Sequence, residues 1–293
     1  MKIAVFGNSV DSGFIPVLQK FFLFFEQNNI EVQLYKPFYD QLINKLNFSP
    51  FYSSFFHSYT DFDDTNTYIF SIGGDGTFLQ TLQCIQNFNI PMVGLNSGRL
   101  GFLADISEEE VVDALTEIFN NRFDIIERSL LEVTLDGSSH LDFNFALNEM
   151  TVLKTDTSSM INIKAYLDGE FLNNYWADGL IIATPTGSTA YSLSVGGPIL
   201  TPDSMSFVIT PIAPHNLTVR PLVVPDNHEL LLKISGRGTH FMTSLDSNST
   251  SVEISTSIRV KKASFKLKTI SLKGHSFLST LRNKLMWGAD KRN

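Results

Sequence analysis

The first 120 residues alternate short apolar runs with longer runs at helical spacing. Lys2 to Phe6 is apolar and β-branched and stops at Gly7, and apolar spacing then predicts a helix over Phe14 to Gln27. A second strand is expected at Val32 to Tyr35, and a helix near Tyr39 to Leu46. Between residues 36 and 66, aromatic residues scatter among Ser, Asn and Asp without a period, which predicts a loop after that helix. Thr67 to Ile72 reads as a strand, Phe78 to Phe88 as a helix, and Pro91 to Leu95 as another strand. Four strands alternating with helices imply a mainly parallel sheet with right-handed crossovers.

After Arg122 the period changes from helical to two. Ile161, Ile163, Ala165 and Leu167 face one way, Asn162, Lys164 and Tyr166 the other, and Asp168-Gly169 is a hairpin turn signal. Similar runs at Ile125 to Leu135, Phe207 to Thr210, Glu229 to Ile234, Ser251 to Ile254 and Phe265 to Ile270 make the second half almost entirely β. The expected fold class is an α/β domain over residues 1–125 and a β-rich domain over 126–270. A last helix, Phe277 to Trp287, needs burial for Leu281, Leu285 and Met286, so the segment 271–293 is expected to dock back on the first domain.

A chain of 293 residues with 43% apolar content has the composition of a soluble globular protein of two domains. The net charge of −8 argues against a general nucleic-acid binder. Residues 256–293 nevertheless hold ten of the 22 Lys and Arg and a single acid, Asp290. Such a tail either draws in anionic substrates or lies against the acidic remainder. No apolar run is long enough for a signal peptide or a membrane span, so a cytoplasmic protein without a membrane partner is expected. The lone Cys84 excludes an intrachain disulfide and a thiolate zinc site and is expected in the core.

Candidate chemistry gathers at glycine-rich strand ends. Ile72-Gly73-Gly74-Asp75-Gly76-Thr77 reads as strand, tight turn and helix start, a junction that favours phosphate through backbone N–H groups and the helix dipole. An acid there opposes phosphate, so Asp75 either handles a proton or a metal ion, or is a plain residue near an N-cap. A second glycine-rich loop, Asn96 to Asp105, follows the next strand, at the sheet edge where open α/β folds bind ligands. Ser107 and Glu110 suggest a capping box for a helix through Phe119. A strand at Leu180 to Ala183 leads into Thr184-Pro185-Thr186-Gly187-Ser188-Thr189-Ala190-Tyr191-Ser192, whose hydroxyls suit either a polar ligand or a solvated turn. Glu149, after Asn148 in an apolar strand, is costly to bury without donors, and a ribose diol would supply two. There is no His pair at metal spacing and no P-loop, which disfavours a zinc hydrolase and a P-loop enzyme. His215 and His228 read as structural or surface residues.

Gly73-Gly74-Asp75-Gly76-Thr77, Leu100-Gly101-Phe102-Leu103-Ala104-Asp105, Asn148-Glu149 and Asp178 through Ser194 resemble the signature segments of the NAD kinases, in that family's order. Thr210 to His215 and Arg220-Pro221 fit as well, so the resemblance covers roughly residues 2–270. The first segment is shared with lipid kinases and, in near form, phosphofructokinases, whereas Asp178 to Ser194 singles out NAD kinase. The resemblance implies an α/β domain, a β domain and a returning C-terminal segment. It also implies transfer of the γ-phosphoryl group of ATP, with magnesium or another divalent cation, to the 2′-hydroxyl of NAD's adenosine ribose, in a homo-oligomer, dimer or tetramer. By the same match Asp75 is the catalytic base or aligner, Gly73, Gly74 and Gly76 let phosphates approach, and Phe102 lines the adenine side. Asn148 and Glu149 would contact the adenosine part, and Asp178, Thr186, Thr189, Ala190, Tyr191 and Ser194 the rest of the dinucleotide, with Thr77, Ala213 and Asn248 in the same binding set.

Two positions depart from the family pattern. Trp176 stands where a polar or basic residue is common, and Asp246-Ser247-Asn248 ends in Asn where Gln is common. Two rivals are a lipid kinase and a dinucleotide sensor without catalysis. The hydroxyl-rich run is a poor lining for an acyl chain, and Asp75 gains a sensor little.

Overall fold

A computed structural model describes residues 1–62, 65–85, 89–98, 101–137, 140–155 and 159–287, with Tyr59 by its backbone only. The expected helix end at 86–88, Arg99 and Leu100 of the second glycine-rich loop, and Asp290 lie outside the described residues. The chain divides into two compact units, Met1–Glu127 with Leu267–Asn293, and Arg128–Lys266.

The first unit is α/β. Its elements are β1 (Lys2–Gly7), α1 (Ile15–Gln27), β2 (Glu31–Tyr35), α2 (Lys36–Leu46), β3 (Ser54–Phe56), β4 (Asn66–Ile72), α3 (Asp75–Ile85), β5 (Met92–Leu95) and α4 (Val111–Phe119). The five strands pair in parallel in the order β5-β4-β1-β2-β3. Alternation decides the two faces. Ile3, Val5, Val32, Leu34, Phe70, Ile72 and Val93 point into a core shared with Phe21, Phe22 and Phe25 of α1, Phe38 and Leu42 of α2, and α4. The other face carries Ala4, Phe6, Tyr35 and Ser71, and Thr81 of α3 donates to the Ser71 hydroxyl at 2.9 Å.

Two expectations change here. The aperiodic stretch is not only a loop, because β3 lies within it and pairs in parallel with β2. Its aromatics pack on one another, with Tyr52 stacked on Phe55 at 4.4 Å and Phe56 edge-on to Phe62 at 4.6 Å. Contacts between rings distant in sequence leave no period to read. Ser107 and Glu110 do bond through side chains, at 2.7 Å, but in a turn ahead of α4, whose N-cap is Glu110.

The second unit is built from antiparallel strands. They are β6 (Phe123–Asp136, most of which lies in this unit), β7 (Phe145–Ala146), β8 (Glu149–Lys154), β9 (Ile161–Leu167), β10 (Glu170–Ala177), β11 (Gly179–Ala183), then, after the single-turn α5 (Tyr191–Ser194), β12 (Ser206–Ile212), β13 (Leu222–Pro225), β14 (Leu230–Ser235), β15 (His240–Leu245) and β16 (Asn248–Glu253). One sheet runs β13-β12-β11-β8-β15-β16, and β10-β9-β14 forms the facing layer. Met150, Val152, Leu180 and Ile182 of the first pack against Ile163, Ala165, Leu230 and Leu232 of the second. The hairpin at Asp168-Gly169 forms with both residues at positive φ, 49° and 86°, as the dipeptide predicts.

A long strand, β17 (Ser257–Leu272), pairs with β14 in the second unit and, through Thr269, in parallel with Met92 of β5 in the first. The chain then ends in α6 (Phe277–Leu285), which belongs to the first unit. Burial of α6 is narrower than its sequence suggests. Leu281 is buried, but Leu285, Met286 and Trp287 are exposed.

Candidate active site

In the first unit, β4 delivers the chain into the glycine turn at the carboxyl edge of the sheet. Gly73 has φ +150°, and a side chain there would meet Thr77 Oγ1 at 2.3 Å, so the turn itself demands glycine. Gly74 and Gly76 face open space instead. Their lack of side chains leaves the start of α3 bare for a ligand.

Asp75 opens α3 and is held by the second glycine-rich loop. Its Oδ2 accepts from Phe102 N–H at 2.9 Å, and its Oδ1 from Leu103 and Ala104 N–H at 2.9 and 3.1 Å. Lys284 of α6 donates to Oδ2 at 3.2 Å. Burial works against the charged form, yet the three N–H donors and the Lys284 ammonium together hold this carboxyl below the usual aspartate range. Asp75 is therefore an ionised, oriented carboxylate, more than the plain capping residue the turn allowed. Gly101 makes that seat possible, since a Cβ there would lie 1.9 Å from Oδ1. Phe102 is covered by α6, with Lys284 Nζ 4.6 Å above its ring and Phe277 at 6.3 Å. His275, between β17 and α6, reaches Asp105 at 3.4 Å and Glu110 at 3.2 Å. The bond to Asp105 leads the causes that raise its pKa to about 9.

The second unit repeats the motif of a carboxylate gripping three consecutive amides. Asp246 accepts from the N–H groups of Leu147, Asn148 and Glu149 at 2.9, 2.8 and 3.1 Å. Burial nevertheless pushes Asp246 up to about 6. Glu149 beside it is buried, and desolvation followed by the Asp246 charge raises its carboxyl to about 8. Its Oε2 is buried without a hydrogen-bond partner. A buried carboxyl oxygen left in that state is a seat for a ligand hydroxyl.

The hydroxyl-rich loop is not a solvated turn. Thr184, Thr186, Ser188 and Ser192 are buried, and three of them serve the loop itself. Thr184 donates to Leu147 C=O, Ser188 to Pro185 C=O at 2.7 Å, and Ser192 pairs with Thr210 at 2.9 Å. Thr189 and Ser194 also donate within the loop, to Thr186 C=O at 3.1 Å and Tyr191 C=O at 2.8 Å, but Tyr191 and Ser194 are exposed, and Thr186 is held by Arg128 at 3.3 Å. Gly187 packs so closely on Asn148 that a Cβ would sit 2.0 Å from its carbonyl oxygen. This contact joins Asn148-Glu149 to Thr186, Thr189, Ala190 and Tyr191, and Asn248 follows the Asp246 turn at the same end of the sheet.

Asp178 lies elsewhere. It precedes β11, whose other end, Ala183, is paired with Glu149, so about five residues or ~17 Å of strand separate the two positions. Its partners are Lys154 Nζ at 2.6 Å and, through the backbone, Ile212 C=O. Ala213, exposed with φ +43°, is at this end, as is Trp176, whose ring lies 4.4 Å from that of His215. Two groups of candidate residues at opposite ends of one strand suit a ligand with two separated polar parts.

The family models described as ATP-NAD kinase N-terminal domain and ATP-NAD kinase C-terminal domain match residues 19–123 and 147–272. The chain belongs to the NAD kinase family. An NAD kinase of Flavobacterium psychrophilum is 48% identical over 100% of both chains. Among solved structures, yeast NADH kinase complexed with NADH aligns at TM-score 0.85 and 21% identity, over 99% of this chain and 88% of that one. An NAD kinase from Archaeoglobus fulgidus in complex with ATP aligns at TM-score 0.75 and 24% identity, over 98% and 99%. These likenesses agree with the α/β and antiparallel β units of this member of the family.

Two functional candidates, Lys284 and His275, escaped sequence reading, and Asp246 entered it only as part of a family pattern. Lys284 is seven residues after Phe277, on the same face of a short helix, and only contact with Asp75 reveals its use. Asp246 and His275 likewise take their meaning from residues almost 100 and 170 positions away.

Proposed function

We infer that the protein is an ATP-dependent NAD kinase that transfers the γ-phosphoryl group of ATP to the 2′-hydroxyl of NAD's adenosine ribose, giving NADP. The observation that carries the reading is the buried, unpartnered Oε2 of Glu149, which calls for a hydroxyl-bearing ligand in a unit whose remaining candidates are amides and hydroxyls. A lipid acceptor has no use for such a lining. Nor does a sensor need a carboxylate oriented by three amides.

Glu149 and Asn148 orient the adenosine ribose, and the outer residues of the loop, Thr189, Tyr191 and Ser194, take the rest of the dinucleotide, with Asp178 at the far end. Asp75 aligns the acceptor hydroxyl and takes its proton as the bond from that oxygen to the γ-phosphorus forms and the γ-phosphorus parts from the bridging oxygen, which leaves with ADP. A carboxyl held in its ionised form is a weak base, so alignment is the larger part of its contribution. Gly74 and Gly76 leave the N–H groups at the start of α3 open to the transferring phosphates. Among the described residues no group of three or more His, Cys, Asp or Glu could hold a metal ion. A divalent cation would come with the donor's phosphates, and the ionised Asp75 would be the side chain to help hold it. Such an ion would supply charge to offset the phosphates beside Asp75.

The family resemblance extends to a homo-oligomer in the cytoplasm. No helix among the described residues is long and apolar enough to cross a membrane.

Incubation with ATP, magnesium and NAD, followed by assay for NADP, tests the activity, and Asp75→Asn tests the role. The variant should lose at least 100-fold in turnover while NAD affinity stays within about tenfold, ~1.4 kcal/mol. Wild-type turnover in Asp75→Asn would return the residue to a capping role.

A further inference from the structure

Asp75 has no acceptor site to spare. An ionised carboxylate offers about four lone-pair sites, and four donors meet them: Leu103 and Ala104 N–H at Oδ1, and Phe102 N–H and Lys284 Nζ at Oδ2. A hydroxyl that is to give its proton to Asp75 must therefore displace one of the four. The three amides belong to a loop braced from within. Gly101 N–H donates to Ala104 C=O at 3.0 Å, the Asn96 side chain donates to the same carbonyl at 3.3 Å, and Asn96 N–H donates to Ile106 C=O at 2.8 Å. Lys284 is the donor that can leave. Its ammonium ends a flexible four-carbon stem, and its side chain is 33% exposed. The helix that carries it is fastened at its start, where Ser276 and Ser279 cap each other, His275 reaches Asp105 and Glu110, and Phe277 lies by Phe102. Past the buried Leu281, the residues Leu285, Met286 and Trp287 are exposed. Lys284 also has a second resting place, the Phe102 ring 4.6 Å from Nζ. There it can give up its bond to Oδ2 and keep its charge beside Asp75.

We propose that Lys284 decides which acceptor Asp75 serves: it holds the last acceptor site of the carboxylate until a hydroxyl on a bound dinucleotide displaces it, and so denies Asp75 to water. This rests on the kinase reading above and adds to it the choice between two acceptors of the same phosphoryl group. A charge-assisted hydrogen bond is stronger than the bond a neutral hydroxyl makes in its place, so the exchange has to be driven from elsewhere. A dinucleotide supplies that drive through the contacts of its other parts, and a water molecule has no other parts. The reaction held back is hydrolysis of the donor. In it a water oxygen bonds to the γ-phosphorus, the bond from the γ-phosphorus to the bridging oxygen breaks, ADP leaves with that electron pair, and a water proton passes to Asp75. Without Lys284, one site on Oδ2 is open to any water that reaches it.

The test uses the full chain with magnesium-ATP and no NAD, and reads the release of inorganic phosphate. Lys284→Met and Lys284→Ala should each raise that release at least fivefold above wild type. Lys284→Arg, which can again donate to Oδ2, should hold it within twofold. Adding Asp75→Asn to Lys284→Met should return the release to the wild-type level, as hydrolysis through Asp75 requires. With NAD present, the phosphate released per NADP formed should rise at least threefold in Lys284→Met. Thermal midpoints close to that of the wild type show that the variants are folded. Folded Lys284→Met and Lys284→Ala that form NADP and release no more phosphate than the wild type overturn the proposal and leave the kinase reading standing. A raised release that survives in the double variant overturns it as well. A wild-type protein that makes no NADP, beside a Lys284→Met that releases phosphate faster, overturns the kinase reading and retains Lys284 as a guard against hydrolysis.

Discussion

Lys284 Nζ is 3.2 Å from Asp75 Oδ2, across 209 residues of sequence. The ammonium also stands over the Phe102 ring, so one side chain of the C-terminal helix touches both the carboxylate and the loop that seats it. Because the cation favours ionised Asp75, Lys284→Met should move the acidic limb of the kcat profile to higher pH. A pH titration of kcat on both proteins checks this. An unmoved limb would mean the backbone amides alone govern the carboxyl.

Gly101 has no polar side chain to offer a substrate, yet Gly101→Ala should be among the more damaging small changes in the first unit. The added methyl cannot coexist with Asp75 Oδ1 at 1.9 Å, so either the loop or the carboxylate must leave its place. Overpacking of this kind costs about 1–3 kcal/mol. We expect turnover to fall at least tenfold with KM for NAD little changed, measured by steady-state kinetics beside a thermal melt.

Glu149 makes stability depend on pH. Its pKa is raised in the folded protein to about 8 from an ordinary 4.5, so the folded state binds the extra proton. The stabilisation is present below pH 4.5 and is lost as pH rises through 8. Asp246, raised to about 6, acts in the same direction. The melting temperature of the wild type should therefore fall between pH 5 and 9, and Glu149→Gln should flatten that fall while weakening NAD binding. Parallel slopes for the two proteins would contradict the assignment.

His275 gives a second, separable window. Its pKa, about 9 against an ordinary 6.5, means that its contacts with Asp105 and Glu110 stabilise fully below pH 6.5 and fade as pH rises through 9. His275→Gln should lower stability by about 1–2 kcal/mol at pH 6, allowing for partial solvent exposure. Above pH 10 the difference should largely vanish in chemical denaturation.

Much of this protein was legible before any coordinate. Periodicity of 3.6 and then 2 marked the α/β and β halves, Asp168-Gly169 its hairpin, and the glycines around Asp75 a carboxylate set in a tight turn, because these signals live in neighbouring residues. Strand β3 was hidden, since its aromatics answer to partners along other elements rather than to their own neighbours. The hydroxyl run had two readings in sequence, and burial of Thr184, Ser188 and Ser192 decided that part of it is scaffold. Tertiary structure alone placed Asp178 at the far end of β11 from Glu149 and set Lys284 on Asp75. Each of these is a distance between residues far apart in sequence, and only the packed backbone brings such groups to a common point.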